Sequence, residues 1–259
     1  MLPTSDSVAP ARPLVVGVIG DAAALRVAGD LPPVGGPDLL ELRADAFVAQ
    51  LGGGETLSAA DDLVARALRA LLEAPRRPLI LTVRDPGEGG LDPALTDHRR
   101  LALLRELSSP GVAWVDLELR ALLAPRQPGL REFAVAARAG GNRVIASSHD
   151  FQGTPTVRRL RALAMAARES GCVDVFKIAT TVSTPGDLAR LLAFLDAEKN
   201  SFPMGLSVMG MGERFGRASR IALAAAGSVF NYGHLGAASG AMVPGQWPAQ
   251  RLRDILDEL

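Results

Sequence analysis

Residues 143–178 read RVIASSHDFQGTPTVRRLRALAMAARESGCVDVFKI, which is an apolar run (Arg143–Ser148), a stretch with helical spacing (Thr156–Ser170) and a second apolar run (Val173–Ile178). The two runs are rich in Val, Ile and Ala and too short for an average helix, so they predict strands. Strand, helix and strand in that order predict parallel pairing through a right-handed crossover. Strands apolar along most of their length predict a sheet covered on both faces.

Working outward, the same unit recurs along the chain. Further strands are predicted at Leu14–Ile19, Asp38–Arg43, Pro78–Arg84, Ala113–Leu119, Met204–Val208 and Gly227–Tyr232. Between them, Leu57–Ala74 returns Leu57, Leu63, Val64, Ala67, Leu68, Leu71 and Leu72 to one face and turns Asp61, Asp62, Arg66 and Arg69 to the other. Similar helical spacing marks Thr96–Leu107, Leu130–Ala139, Pro185–Glu198, Arg217–Ala226 and Pro248–Leu259, with Thr184 placed to cap the helix that Pro185 begins. The first connection, Asp21–Gly36, reads as short and only partly helical. Eight such units close an α/β fold of the (β/α)8 TIM-barrel type. An open doubly wound sheet is the alternative, but no G-x-G-x-x-G follows the first strand. No composition break or long linker divides residues 13–259, which predicts a single barrel domain preceded by a loose tail over residues 1–12.

Twenty-eight basic and 28 acidic side chains cancel, so no net field draws the chain to nucleic acid or to an anionic membrane. A composition 48% hydrophobic and 22% charged excludes disorder as the main state. Apolar runs such as Leu14–Ile19 and Ile221–Ala226 fall far short of the roughly 18 residues a membrane helix needs. Cys172 is the sole cysteine, which excludes an intramolecular disulfide, fits a reducing cytosol and reads as a small buried hydrophobe.

In such a barrel the chemistry sits at the C-terminal ends of the strands, so polar residues inside apolar strands are the ones to question. Of the 28 basic residues only Lys177 and Lys199 are lysines, and Lys177 lies in the strand Val173–Ile178, where the arginine used elsewhere is avoided. An amine, unlike a guanidinium, can lose its proton and attack a carbonyl; an amine that snorkels or pairs with a carboxylate explains the position as well. His149 ends the preceding strand and is either a proton shuttle or a structural histidine. Glu41, Arg43 and Asp45 alternate so as to share one face of a strand, for ion pairing across the barrel or for substrate binding. Arg84 and Glu88 stand at the next rim, followed by Asp116 and Glu118. Lys199 and His98 read as solvated, and His234 lies in a Gly-rich loop after the last strand. No HExxH, Cys/His cluster or carboxylate set suits a metal, and no P-loop is present, so an iminium on Lys177 is the expected electrophile and no cofactor is needed. The Gly motif Met209-Gly210-Met211-Gly212 suits close backbone approach rather than a nucleotide.

The segments Glu41–Asp45, Thr82–Gly90, Val115–Leu119, Ser148–Phe151, Lys177–Ala179, Ser219-Arg220, Gly227-Ser228, Ala238-Ser239 and Pro244–Gln246, in this order, resemble the type I 3-dehydroquinate dehydratases. The resemblance implies that Lys177 forms an imine with the C3 ketone of 3-dehydroquinate. His149 would move the C2 proton and assist loss of the C1 hydroxyl, and Glu88 would orient the histidine. It further implies that Arg220 holds the substrate carboxylate, that Glu41, Arg43 and Arg84 position hydroxyls, and that Ser239 and Gln246 belong to a loop closing over the ring, with Met209 and Met211 as an apolar wall. Asp116, Glu118 and Asp150 would support these groups. Ser239 and Gln246 are seven positions apart where the family has four. A cytoplasmic homodimer without metal or organic cofactor is expected on the same ground. A Schiff-base aldolase on the same barrel, or a silent barrel that binds a small carboxylate, are the competing readings.

Overall fold

The computed structural model describes residues 12–50, 57–73, 77–109, 111–124, 129–236 and 243–259. Strand β1 (Leu14–Ile19) passes through α1 (Ala22–Gly29) to β2 (Leu39–Arg43), and α2 (Ala44–Gln50) and α3 (Leu57–Glu73) lead to β3 (Leu79–Thr82). A 3-10 turn at Pro86–Glu88 and α4 (Asp97–Leu107) precede β4 (Val112–Glu118), and α5 (Leu119–Leu122) and α6 (Gly129–Ala139) precede β5 (Arg143–Asp150). Then follow α7 (Val157–Glu169), β6 (Val175–Thr181), α8 (Pro185–Glu198), β7 (Leu206–Met211), α9 (Gly216–Ala225), β8 (Phe230–His234), a short β9 (Trp247–Pro248) and α10 (Ala249–Asp257).

All neighbouring strands pair parallel, in the order β7-β6-β5-β4-β3-β2-β1-β8-β9. The barrel closes where β7 meets β8, and there a ladder is replaced by three bonds: Val229 N donates to Leu206 O (2.8 Å), Val208 N to Ser228 Oγ (2.9 Å), and Ser207 Oγ to Phe230 O (2.6 Å). The eight strands confirm the barrel expected from the sequence. The last four end two or three residues later than their apolar runs, because polar rim residues such as His149 and Thr180 continue the ladder. Of the expected tail, residues 1–11 lie outside the described residues, and exposed Arg12 pairs with Asp38 at 2.6 Å.

Helix signals act as their chemistry dictates. Thr184 and Asp187 form a reciprocal capping box that spans Pro185, and Thr96, Asp21 and Thr156 accept from the backbone of the first turn of α4, α1 and α7. Outward strand residues such as Leu42, Leu117 and Phe176 pack against helix residues such as Leu103, Leu160 and Phe194. Inward residues form a separate apolar floor that includes Leu39, Ile80, Trp114, Ile145, Val175 and Phe230. Because side chains alternate, stepping two residues along each strand from this floor reaches Glu41, Thr82, Asp116, Ser147, Lys177 and Tyr232, all buried. The period of two therefore stacks a polar tier directly above an apolar one.

Candidate active site

Lys177 sits at the centre of the polar tier, 3% exposed. Its Nζ donates to Asp116 Oδ2 (2.9 Å), stands 3.7 Å from Glu41 Oε1, and lies 3.8 Å from the centre of the Tyr232 ring. Both the open readings of this lysine thus share one geometry: it is paired, and it lines a pocket. Glu41 is fixed by Thr82 Oγ1 at 2.8 Å. Asp116 also accepts from Ser147 Oγ (2.6 Å) and pairs with Arg84 (3.0 Å). Burial opposes its ionisation, yet the charges of Arg84 and Lys177 hold its carboxyl well below the usual range. Arg84 is anchored further by Glu118 at 2.9 Å, and its guanidinium is held charged by Asp116 against the cost of burial.

His149, at the end of β5, directs Nδ1 to Glu88 Oε2 (3.1 Å), which also accepts its backbone N–H (2.9 Å). A carboxylate at Nδ1 leaves Nε2 as the basic nitrogen. Burial, with the nearby charges of Arg84 and Lys177, pushes the imidazole well below its ordinary pKa, so it is neutral in the neutral range. Burial pushes Glu88 the other way, above the ordinary carboxyl value, against the pull of Arg84.

Arg43 forms a bidentate pair with Asp45 (2.9 and 2.8 Å) and donates to Gly89 O at 3.1 Å. Asp45 lies in the first turn of α2 and not on the strand with Arg43, because the chain turns into a helix at Ala44. It is wholly buried and also accepts from Arg84 N and Leu91 N (3.1 and 3.3 Å), so its role is to tie three rim segments together.

Arg220 reaches the pocket from α9. Gly210 permits this, since a Cβ there would stand 2.0 Å from Ser219 Oγ and force helix and strand apart. Arg220 is 2% exposed, donates to Tyr232 O (3.0 Å) and to the Met209 sulfur, and among the described residues has no carboxylate partner. Burial alone lowers its guanidinium to about 10. Gln246 is buried at the pocket's edge, where its N–H donates to Val243 O (3.1 Å) and its side-chain Oε1 accepts from Val243 N (3.4 Å). Gly245, at φ +84°, sets that turn against Gly212 O with no room for a side chain. Ser239 lies outside the described residues.

One pocket is thus lined by Glu41, Arg43, Arg84, Glu88, His149, Lys177, Arg220 and Gln246, with Val18, Ala179, Met209, Met211 and Tyr232 as its apolar wall. It offers an amine for addition to a carbonyl, a neutral imidazole for proton transfer and an unpaired cation for an anionic group. Asp150 caps the turn at Gln152 and Gly153 outside it. Among the described residues the His234 ring bonds only to Gly236 O, His98 and Lys199 are exposed, and Cys172 is buried and free. Among the described residues no group of His, Cys, Asp and Glu is arranged to hold a metal ion.

Sequence reasoning missed Tyr232, Asp85, Arg100 and Arg120. Arg100, wholly buried in α4, pairs with Asp85, Asp97 and Glu118. Its spacing to Leu103, Leu104 and Leu107 puts it on the inward stripe of the helix, and that signal was available.

Residues 22–259 match the family described as type I 3-dehydroquinase. The chain is 35% identical over 219 residues to the 3-dehydroquinate dehydratase of Latilactobacillus sakei, covering 85% of this chain and 82% of the relative. It is 34% identical over 230 residues to that of Klebsiella pneumoniae, covering 86% and 83%. The crystal structure of 3-dehydroquinate dehydratase from Geobacillus kaustophilus superposes with a TM-score of 0.79 at 25% identity, covering 96% of this chain and 91% of the other.

Proposed function

Because the chain belongs to the type I 3-dehydroquinases, hydro-lyases that act on 3-dehydroquinate, we propose that Lys177 is the imine-forming residue and His149 the proton-transferring one. The observation that carries this reading is that Lys177, His149 and Arg220 line one pocket, Arg220 being a buried cation with no carboxylate partner among the described residues.

Arg220 pairs with the substrate carboxylate through its planar guanidinium and so sets the ring over Lys177. Nζ passes a proton to Nε2 of His149 and, as the free amine, adds to the C3 carbonyl carbon; the imidazolium returns that proton to the carbinolamine oxygen, which leaves as water, and an iminium remains. The iminium is the electron sink, so the reaction needs neither metal nor organic cofactor. Nε2 of His149 takes the C2 proton and an enamine forms. The enamine electrons then expel the C1 hydroxyl, which leaves as water with the proton from the imidazolium, and hydrolysis releases 3-dehydroshikimate and the amine. Glu88 keeps the imidazole in the tautomer this requires, while Glu41, Arg43 and Arg84 hold hydroxyls and the lysine, and Ser239 and Gln246 close the site. The likeness also implies a cytoplasmic homodimer; among the described residues no helix is long and apolar enough to cross a membrane.

Borohydride reduction in the presence of 3-dehydroquinate, with peptide mass mapping and an ultraviolet assay of the conjugated product, tests the proposal. An adduct on Lys177 together with product supports it, and Lys177→Ala should lose both while His149→Ala keeps the adduct and loses most turnover. An adduct without product favours an aldolase, and neither signal favours a silent barrel.

A further inference from the structure

The turn that brings Glu88 to His149 is gripped from outside the barrel. Asp85 organises it: its carboxylate accepts from Gly87 N (2.6 Å), its carbonyl from Glu88 N and Gly90 N (2.9 Å each), and its own N–H donates to Glu118 (3.0 Å). Arg100 holds that carboxylate from the buried side at 3.0 Å, and Arg120, on α5, holds it from the solvent side. Arg120 also brings Nε to 3.7 Å from Glu88 Oε1, the oxygen that His149 leaves free. Unlike Arg84 and Arg100, which are buried, the Arg120 side chain is 55% exposed, and ion pairs so placed add little to fold stability.

We propose that Arg120 is a positioning residue for proton transfer, clamping the Asp85 and Glu88 carboxylates so that Glu88 keeps the His149 imidazole aligned, and leaving that alignment sensitive to salt. This rests on the reading of His149 given above. The groups facing Glu88 are Arg84 two residues beyond β3, Asp116 on β4, Arg120 on α5 and His149 on β5. Burial raises the Glu88 carboxyl and the two arginines draw it down. Removing Arg120 therefore lets Glu88 take up a proton at higher pH, and a protonated Glu88 is a poorer acceptor for the imidazole N–H.

Steady-state kinetics of Arg120→Gln and Arg120→Lys test this. Arg120→Gln should lose about tenfold in kcat, a part of what proton transfer contributes, with KM within about twofold and with borohydride trapping on Lys177 as in the parent protein. Its acid limb in kcat/KM should move to higher pH, and Arg120→Lys should restore most of kcat. Raising salt from about 50 to about 500 mM should move the parent's limb the same way and leave that of Arg120→Gln in place. An Arg120→Gln protein with the parent's kcat and pH profile overturns the assignment, as does equal impairment of both variants with a matching fall in Tm. If the parent itself gives no adduct on Lys177, the mechanism fails and the assignment with it; parent trapping with an unchanged Arg120→Gln profile sinks the assignment alone.

Discussion

Arg84 and Arg220 are buried alike, at 2% exposure each, and serve opposite ends. Arg84 is enclosed by Asp116 and Glu118, so its charge is part of the folded network. Among the described residues Arg220 has backbone and sulfur partners only, an uncompensated charge that the fold tolerates. Replacing each by Met separates the two roles. Arg84→Met leaves Asp116 with Lys177 and Glu118 with Arg100 as their remaining cations, one positive charge short for a buried network, and should cost about 3–5 kcal/mol of stability. Arg220→Met removes an unpaired buried charge, so its Tm should equal or exceed that of the parent, while KM for 3-dehydroquinate rises by roughly 30-fold or more through loss of a charge-assisted pair. Thermal melts and initial rates on the same two preparations decide it. A large loss of Tm in Arg220→Met would mean that the guanidinium is a structural element.

Among the elements, the join between β7 and β8 is the weakest-laddered part of the barrel, and Gly227-Ser228, one of the segments that resembles the family, serves it. Gly227 takes a φ of +110°, and Ser228 Oγ accepts from Val208 N where a strand carbonyl would otherwise do so. Ser228→Ala leaves a buried N–H unpaired, at about 1–3 kcal/mol, which in a chain of this size lowers Tm by roughly 2–10 °C. Amide exchange at Val208 should accelerate more than at the β5–β6 ladder; a Tm within about a degree of the parent's would show the seam to be held otherwise. The eight strands themselves were legible because a buried strand reads as one apolar run. Their C-terminal ends were not, since Thr180, Gly210 and His149 resemble turn residues until the ladder shows that they continue it. Lys177, His149 and Arg220 stand out by residue type against an apolar strand or beside a quoted motif. Asp85, Arg100 and Arg120 do not, because their importance comes from distances across three segments that no local pattern encodes. Asp45 was misplaced for a similar reason: its alternation with Arg43 imitates a strand, while the pair is made across a strand-to-helix corner.

At the scale of the molecule, 28 basic and 28 acidic residues leave no net charge, and at the site the cations of Arg43, Arg84, Arg100 and Lys177 are matched by Asp45, Asp116, Glu118 and Glu41. A substrate carrying one carboxylate therefore meets no long-range attraction, and Arg220, a cation of the pocket with no carboxylate partner among the described residues, acts after entry, inside a pocket that screening ions reach poorly. Electrostatic steering would make kcat/KM fall steeply as salt shortens the Debye length from about 14 to about 4 Å between roughly 0.05 and 0.5 M. On the pH plateau, away from the acid limb that Arg120 governs, kcat/KM should instead change by less than about twofold over that range. A fall of about tenfold would place a guiding field at the mouth of the barrel and shift the recognition of the anion from Arg220 to the surface around it.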